Sequence, residues 1–262
     1  MAYANAKDGV QLYYDVVGEG PALTFAHGAG GNTASWFQQV PHFYDRYRTL
    51  SFDHRGFGRS RCEESQFDVE HFADDLTAIL DDAGIEKTAL VCQSMGGWTG
   101  INFCIAHPDR VSCLVMSHTT GSIRNKKIGA AMAQAAAERE APHAPFGSWA
   151  IAHDLPLKDP VKANLYREIG AHNVVINLEK VLSGRSGLAN AEPADLTGFN
   201  IPTLFITGSL DVLIPPAAVR EAASLVPGAR VEEFEGYGHS SYFECPDKFN
   251  AVAGAFLDAH NQ

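Results

Sequence analysis

Short apolar runs alternate along the chain with stretches in which apolar residues recur every three or four positions. Seven apolar runs predict strands, at 11–17, 22–26, 47–52, 88–92, 111–116, 202–206 and 229–234. Several of these runs lack the alternation of a half-buried strand, and continuous apolar runs are typical of parallel strands that are buried on both faces. Asp8-Gly9, just before the first run, is a hairpin turn signal.

Three stretches between the strands have helical spacing. Apolar residues at 69–80 recur at helical intervals, and Gly84 marks the end of that helix. A second helix follows Ser94 as far as about Ala106, and a third begins near Pro246, a residue type favoured at the first helical position. Strands that alternate with helices predict an α/β fold with an open, mostly parallel sheet.

The segment 119–200 interrupts this alternation. It contains no convincing strand, and its apolar spacing predicts three or four helices. A segment of this length is too long to be an ordinary loop. We therefore predict a core at 1–118 and 201–262, with a helical cap at 119–200 inserted over the carboxyl edge of the sheet, where open α/β sheets bind ligands. Apolar stripes on the cap helices should pack on the core or face the substrate. The stripe residues are Ile128, Met132, Val161, Leu165, Ile169, Val174, Leu178 and Val181.

Composition and charge narrow the class of protein and of partner. Among the 262 residues, 45% are hydrophobic and 19% are charged, which disfavours a disordered, collagen-like or coiled-coil chain. The formal net charge of -11 repels phosphate backbones and anionic membrane faces. We therefore expect a small-molecule substrate, and neither nucleic acid nor a membrane as partner. A homodimer is left open.

The cysteines and the first residues bear on compartment and metal binding. Five cysteines at irregular spacing, with no Cys-x-x-Cys pair, suggest neither a disulfide framework nor a zinc site. No apolar run is long enough to span a bilayer, and the first residues lack the basic and apolar regions of a signal peptide. The sequence therefore predicts a cytoplasmic protein without a metal.

The strongest chemical signal is the run Cys92-Gln93-Ser94-Met95-Gly96. An apolar strand leads into a sharp turn and then a helix, which would place the Ser94 hydroxyl at the sheet edge and the Met95 amide at a helix N-terminus. A serine in this position is a candidate nucleophile. The competing interpretation is a serine that only caps the helix.

Three further signals also follow predicted strands. His27 and Gly28 open a glycine-rich loop that can present backbone N–H groups, while Asp211 and His239 each come just after a later apolar run. The loop lacks the Gly-x-Gly-x-x-Gly spacing and the Gly-Lys-Ser/Thr ending of nucleotide-binding loops. Because the carboxyl ends of parallel strands share one edge of a sheet, these groups should lie close to Ser94.

With Ser94, Asp211 and His239 in this order, the sequence resembles the α/β-hydrolase superfamily, and especially its small capped bacterial members. The resemblance covers nearly the whole chain and includes the segments 53–60 and 107–111. It implies an α/β-hydrolase fold with a mostly parallel eight-stranded sheet flanked by helices. It also implies that Ser94 is the nucleophile, His239 the general base and Asp211 the acid that orients it, with no cofactor.

The same resemblance assigns supporting roles. The backbone N–H groups of Ala29 and Met95 would form the oxyanion hole. The turn 53–55 is expected to be architectural. Apart from the resemblance, His118 comes just after the apolar run 111–116, where the predicted cap begins, and is a candidate for lining the pocket. The other candidate substrate-binding residues are His27, Gly28 and Trp98, and each of the four could instead serve the fold.

One position departs from the pattern of the superfamily. The nucleophile elbow is usually Gly-x-Ser-x-Gly, and Cys92 occupies the place of the first glycine, where strand and helix approach closely. A small side chain fits there, and the Cys92 side chain should point into the sheet. We therefore predict a packed and inert thiol, not a second nucleophile.

The type of nucleophile limits the reaction. A serine attacks an acyl carbon, which argues against epoxide hydrolases and haloalkane dehalogenases, whose nucleophile is a carboxylate. We expect hydrolysis of an ester, lactone or thioester of a small to medium apolar substrate. The alternatives are a carbon–carbon bond hydrolase of vinylogous diketones, a cofactor-free haloperoxidase or perhydrolase, and a hydrolase-fold receptor that binds a ligand without turnover.

Overall fold

The structure, a computed structural model, describes residues 1–173 and 191–261. Its strands are β1 (Ala2–Asn5), β2 (Gln11–Val17), β3 (Ala22–Ala26), β4 (Arg48–Phe52), β5 (Thr88–Gln93), β6 (Val111–Ser117), β7 (Thr203–Gly208) and β8 (Arg230–Phe234). They form one eight-stranded sheet in the order β1-β2-β4-β3-β5-β6-β7-β8. β2 is antiparallel to β1 and β4, and the other neighbouring pairs are parallel, which confirms the predicted sheet.

The seven predicted strands are present, each within two residues of its predicted bounds. The hydrophobic pattern does not predict β1, because its four residues, Ala-Tyr-Ala-Asn, include a single strong strand former. β1 pairs with β2 across the hairpin that Asp8-Gly9 predicts. Gly9 turns the chain with a φ of 86°, which glycine adopts without steric cost.

The α-helices are α1 (Val40–Phe43), α2 (Phe72–Asp82), α3 (Gly96–Ala106), α4 (Lys126–Glu138), α5 (Leu155–Lys158), α6 (Pro160–Ala171), α7 (Pro216–Ser224), α8 (Ser241–Glu244) and α9 (Pro246–His260). The three helices predicted between and after the strands correspond to α2, α3 and α9. Among the described residues, no helix combines the length and the apolar character that crossing a membrane requires.

The central strands are buried on both faces, which explains why their apolar runs do not alternate. In β5, Leu90 belongs to an apolar cluster with Leu76 of α2. Its neighbour Val91 points the other way, into a second cluster with Phe249 of α9. Helices therefore cover both faces of the sheet, and the loops that follow the parallel strands gather at its carboxyl edge.

Between β6 and β7, the described residues contain α4, α5 and α6. An isolated β-bridge joins Ile123 to Ala191 in the same stretch. The helix expected around Val174, Leu178 and Val181 lies outside the described residues. The division of the chain into a core and a cap stays a prediction.

The apolar stripes predicted on these helices are correct only in part. On α4, Ile128 is buried as predicted. On α6, Val161, which is 79% exposed, and Leu165, which is 42% exposed, do not pack on the core. Two other predicted residues do pack on the core, Met132 of α4 against one apolar cluster and Ile169 of α6 against the other. The pattern misses the small Ala163, which is buried, and Tyr166, which packs on the core and also carries a polar hydroxyl.

Candidate active site

Ser94 lies at the sharp turn between β5 and α3. Its φ of 49° is in the left-handed region, which costs a non-glycine residue about 1–3 kcal/mol. Neighbouring groups hold the turn: the Ser94 N–H donates to Ser117 O at 2.9 Å, and Thr119 Oγ1 donates to Ser94 O at 2.7 Å. A Cβ atom on Gly96 would collide with the Ala26 carbonyl, so glycine is required for the start of α3 to approach β3.

Cys92 shows how this elbow accommodates a side chain where a glycine is usual. Cys92 is buried, and a Cβ atom on Gly100 of α3 would lie 2.7 Å from its Sγ. The missing side chain at Gly100 therefore provides the room that Cys92 fills. Burial raises the pKa of the Cys92 thiol, which disfavours the reactive thiolate. These observations support the prediction of a packed thiol.

Three side chains from separate loops form a continuous line of hydrogen bonds. Ser94 Oγ lies 2.8 Å from His239 Nε2, and His239 Nδ1 lies 2.8 Å from Asp211 Oδ2. His239 and Asp211 are buried, whereas Ser94 is partly exposed. The three residues selected from the sequence thus meet at the carboxyl edge of the sheet, after β5, β7 and β8.

The Asp211 carboxylate is engaged at both oxygens. Its Oδ1 accepts the N–H groups of Leu213 and Ile214, both at 2.9 Å, and its Oδ2 faces the imidazoles of His239 and His118. Burial opposes ionisation of this carboxyl, but the two histidines outweigh burial and hold the pKa of Asp211 well below its ordinary value. Asp211 is therefore a carboxylate at neutral pH.

His118 lies behind Asp211, not on an open pocket wall. Its ring is fully buried, with Nδ1 3.1 Å from Asp211 Oδ2 and Nε2 2.7 Å from Ser241 Oγ. Burial lowers the pKa of His118, although the nearby Asp211 opposes this effect, so the ring is neutral at neutral pH. Because protein groups occupy both ring nitrogens, the structure does not support the expected contact between His118 and substrate.

The glycine-rich loop after β3 passes close to Ser94. A Cβ atom on Gly28 would lie 2.9 Å from Ser94 Cβ, so this approach requires glycine. The ring of His27 is fully buried: Nδ1 lies 2.8 Å from Gly28 O, and Nε2 accepts the His54 N–H at 2.9 Å. His27 therefore shapes the loop, and the expected contact with substrate is not supported. Ala29, the next residue of the loop, is partly exposed.

Asn173, a residue that no sequence pattern selects, connects the end of α6 to the same loop. Its Nδ2 donates to Gly30 O at 2.7 Å, and its Oδ1 accepts the Gly58 N–H at 2.9 Å. Asn32, in the loop itself, donates to Ile169 O at 2.9 Å. Asn173 and Gly30 are 143 positions apart along the chain, so no local signal could have revealed their contact.

Glu244 holds the loop that carries His239. Its carboxylate accepts the N–H groups of Gly238 and Ser240, on either side of the histidine, each at 3.2 Å. It also accepts the Ala152 N–H at 3.1 Å. Burial raises the pKa of Glu244, and these three N–H groups oppose that increase. Glu244 thus fixes the backbone on both sides of His239.

Trp98 and the turn 53–55 serve the architecture around the elbow. Trp98 of α3 is partly exposed and packs against an apolar cluster that includes Phe57 and the Met95 side chain. In the turn, the buried Arg55 pairs with the buried Asp75 at 2.6 Å. Of the four candidate substrate-binding residues, Gly28 lies beside Ser94 and Trp98 lies on α3, so these two remain candidates.

One group of potential metal ligands is close enough to share an ion within residues 1–173 and 191–261. It consists of His118, Asp211 and His239, whose facing atoms lie within 4.8 Å of one another. Those atoms already hydrogen-bond to each other, with the carboxylate as acceptor between two imidazoles. This arrangement suits orientation of an imidazole and movement of a proton better than coordination of a metal.

Comparison with known proteins agrees with this geometry. Residues 21–246 match the sequence profile of the alpha/beta hydrolase fold. RutD of Azorhizobium caulinodans, named provisionally as a carbamate hydrolase, is 26% identical over 100% of both chains. The 3-oxoadipate enol-lactonase 2 of Acinetobacter baylyi is 26% identical over 96% of this chain and 95% of its own.

A solved structure shows the same arrangement over nearly the whole chain. The structure of Est816, described as an N-acyl homoserine lactone degrading enzyme, matches with a TM-score of 0.78 and 25% sequence identity. The match covers 97% of this chain and 99% of Est816. The profile, the relatives and the sheet agree, and the chain therefore belongs to the alpha/beta hydrolase fold family and is a hydrolase of that fold.

Proposed function

We propose that this chain is a cofactor-independent serine hydrolase that cleaves a carboxylic ester, including lactones and thioesters, through an acyl-enzyme on Ser94. The observation that carries the proposal is the hydrogen-bonded line from Ser94 through His239 to Asp211, with both distances at 2.8 Å. A serine hydroxyl is a poor nucleophile at neutral pH, and this line supplies the base that activates it.

In the first half-reaction, Ser94 Oγ attacks the acyl carbon while His239 Nε2 takes the hydroxyl proton. The Asp211 carboxylate stabilises the imidazolium that forms and keeps the other proton on Nδ1. The tetrahedral intermediate then collapses, and the bond from the acyl carbon to the leaving oxygen or sulfur breaks. The leaving group departs with the proton from Nε2, and the acyl group stays on Ser94.

In the second half-reaction, a water molecule takes the place of the leaving group. His239 Nε2 accepts a proton from this water as the water oxygen attacks the acyl carbon. Collapse of the second intermediate breaks the bond to Ser94 Oγ, which recovers its proton from His239. The carboxylic acid leaves, and the free enzyme is restored. Ser94, His239 and water exchange all the protons, so these steps require no cofactor.

The oxyanion of each intermediate would lie against the backbone N–H groups of Met95 and Ala29. Met95 is the N-cap residue of α3, so no carbonyl of a preceding helical turn is in place to accept its N–H. Ala29 follows Gly28, whose backbone passes beside Ser94. Loss of one such donor typically lowers kcat about 100- to 1000-fold.

The relatives guide the choice of bond. Enol-lactonase 2 and Est816 are named for lactones, and RutD is named for a carbamate. Each of these compounds offers an acyl carbon bonded to a leaving heteroatom, which is the group that an activated serine attacks. We therefore propose esters and lactones as the first candidate substrates. A carbamate is the second candidate, supported by the match to RutD over the whole length of both chains.

A substrate panel tests the proposal. It consists of a short p-nitrophenyl ester, a lactone, a thioester, a carbamate and a vinylogous diketone, with kcat/KM measured for the wild type, Ser94→Ala and the control Ser65→Ala. Ser65 is exposed, far from the elbow in sequence. We expect the wild type and Ser65→Ala to turn over an ester or a lactone. Ser94→Ala should lose several orders of magnitude, because the covalent step is gone.

Three outcomes of the panel would revise the assignment. A diketone rate far above every ester rate would favour the carbon–carbon bond hydrolase. Equal turnover by the wild type and Ser94→Ala would contradict the role of Ser94. Stoichiometric binding without turnover of any acyl substrate would favour a ligand receptor.

We also propose that the segment 119–200 acts as a cap over the site. Tyr166 OH of α6 lies 3.0 Å from the Oγ of Ser240, the neighbour of His239, and Asn173 bonds to the glycine-rich loop. These contacts support a segment that is fastened to two loops of the site. A closed cap walls a pocket and excludes water, so we expect small to medium apolar substrates.

Substrate size tests the closed cap. Rates on short p-nitrophenyl esters are compared with rates on a long-chain triglyceride. The triglyceride is supplied both below and above the concentration at which it forms an emulsion. We expect a strong preference for the short esters and no rise in rate at the lipid interface. Dominant triglyceride activity would contradict the cap.

A further inference from the structure

The end of β6 brings a second histidine to the carboxylate of Asp211. His118 directly follows β6, and its φ is 52°. In the described part of the chain, Ser94 and His118 are the non-glycine residues with a positive φ. Such backbone strain persists where the surrounding structure fixes it, and it gathers at functional sites. The His118 N–H donates to Ile206 O of β7 at 2.7 Å, which anchors the strained residue.

The hydrogen bonds of the His118 ring fix its tautomer. The backbone N–H of Ser241 donates to His118 Nε2 at 3.3 Å, and a backbone N–H cannot accept. The Ser241 hydroxyl, 2.7 Å from Nε2, can donate to the same lone pair. Because the ionised carboxylate of Asp211 can only accept, the proton of the neutral imidazole lies on Nδ1. Nδ1 is 3.1 Å from Asp211 Oδ2, so His118 donates to the carboxylate.

Asp211 thus accepts four N–H groups. Two backbone amides, those of Leu213 and Ile214, donate to Oδ1, and the imidazoles of His118 and His239 donate to Oδ2. The affinity of a carboxylate for a proton falls as more donors share its charge. The second imidazole therefore weakens the attraction of Asp211 for a protonated His239, compared with a carboxylate that faces one histidine.

We propose that His118 is a positioning residue of the catalytic site: its Nδ1–H fixes the Asp211 carboxylate toward His239. By sharing the charge of Asp211, it weakens the attraction of that carboxylate for the imidazolium that His239 forms during catalysis. This role rests on the proposed function, in which Asp211 and His239 serve Ser94. His118 acts through Asp211 and has no part in substrate binding.

Other charged or titratable side chains pack around Asp211 and His239. Among the described residues, those from α6 and α8 are Tyr166, Tyr242 and Glu244, and Lys162 of α6 donates to the backbone carbonyl of Glu244. Burial raises the pKa of the carboxyl and of both tyrosine hydroxyls, so the tyrosines are uncharged at neutral pH. These groups are the same in every variant of residue 118. A difference in pH profile between such variants therefore reports on His118.

The test is the pH profile of kcat/KM on a short ester for His118→Phe, His118→Asn and His54→Phe. Phenylalanine keeps the ring volume without the donor. Asparagine places an amide N–H near the position of Nδ1, and it tolerates a positive φ. His54 is equally buried and its Nε2 lies 2.8 Å from Thr99 Oγ1, so His54→Phe is the matched control away from Asp211.

The variants should separate as follows. His118→Phe is expected to lower kcat about tenfold to hundredfold and to move the acid limb of the profile up by about 0.5–1 pH unit. His118→Asn should bring the limb back to its wild-type position, and His54→Phe should leave it there. The inference would be overturned if the acid limb of His118→Phe coincided with that of the wild type. It would also be overturned if the acid limb of His118→Asn were shifted as far as that of His118→Phe.

Nitrogen-15 NMR of histidine in the wild-type protein tests the donor without reference to activity. We expect His118 to carry its proton on Nδ1 and none on Nε2 between about pH 6 and 8. A proton on Nε2 would overturn the inference even if the variants fail to fold. If the wild type turns over no acyl substrate, the proposed function fails, while the NMR result still decides whether His118 donates to Asp211.

Discussion

At the residue scale, the elbow shows how a change at one position is accommodated by another. Cys92 occupies space that a side chain at Gly100 would need, since a Cβ atom there would lie 2.7 Å from the sulfur. A side chain at one of the two positions is tolerated, but side chains at both would clash. The elbow can therefore dispense with the usual glycine at position 92 as long as position 100 remains glycine.

This packing predicts a coupling between the two positions. Gly100→Ala should destabilise the wild type by about 1–3 kcal/mol through overpacking, even though alanine is the better helix former. In the Cys92→Gly background, the same change should be much less damaging. Urea denaturation of the four members of this double-mutant cycle measures the coupling.

Gly129→Ala on α4 is the matched control for helix propensity. Apart from α4 itself, no described residue comes within 4 Å of an added Cβ atom at Gly129, so this substitution should stabilise the protein slightly. Additive effects of Gly100→Ala and Cys92→Gly would contradict the proposed packing of the thiol against α3.

The low pKa of Asp211 has a consequence for stability in acid. The unfolded carboxyl binds a proton near its ordinary pKa of 3.8, whereas the folded carboxyl stays ionised to lower pH. The contribution of Asp211 is thus present above about pH 4 and is lost as the pH falls further. Asp211→Asn should reduce the acid sensitivity of the unfolding free energy, measured by urea denaturation from pH 7 to 3. The same slope in both proteins would contradict the low pKa.

The sequence locates Ser94, Asp211 and His239 because each one follows an apolar run, and parallel strands end at a common edge. It selects His118 for the same reason but not its function. The contact between His118 and Asp211 depends on the pairing of β6 with β7, and the tautomer depends on Ser241, far along the chain. These contacts of His118 with Asp211 and Ser241 exist only in the folded sheet, so no local sequence pattern predicts them.

At the element scale, α6 connects the predicted cap to the loops of the site. Its helical period is visible in the sequence, and the predicted stripe identifies Ile169 but neither Ala163 nor Tyr166 among the residues that the helix turns inward. Tyr166 and the end of the helix contact the site, while Val161 is exposed. Those contacts involve a hydroxyl, an amide and backbone carbonyls, which leave no trace in a pattern of apolar residues.

The contact at the end of α6 predicts an effect on catalysis. Asn173→Ala removes the donor to Gly30 O, and with it one restraint on the loop that carries the Ala29 N–H. We expect kcat to fall about tenfold to hundredfold with a smaller change in KM, because the loop acts on the transition state. Steady-state kinetics on a short ester checks this.

Asn164→Ala, on α6 itself, is the matched control. Asn164 accepts a hydrogen bond from the exposed Arg167, so its loss should leave kcat unchanged. Wild-type kcat in Asn173→Ala would show that the glycine-rich loop holds its shape without α6.

At the scale of the whole molecule, the strands and the two-sided core follow from the sequence with few exceptions. Continuous apolar runs predict buried parallel strands, and β2 through β8 are present within two residues of those runs. β1 is too short and too mixed to be recognised. The core is predictable because burial acts on residue type, whereas the fit of the segment 119–200 over the site depends on single hydrogen bonds between distant loops.

An active-site-directed phosphonate tests most directly whether Ser94 is the activated nucleophile. Intact-mass and peptide mass spectrometry should find a single adduct on Ser94 in the wild type and none in Ser94→Ala. His239→Ala should react far more slowly, because the group that accepts the Ser94 proton is gone. An adduct on Cys92 or on any other residue, or no adduct on the folded wild-type protein, would contradict the assignment of Ser94.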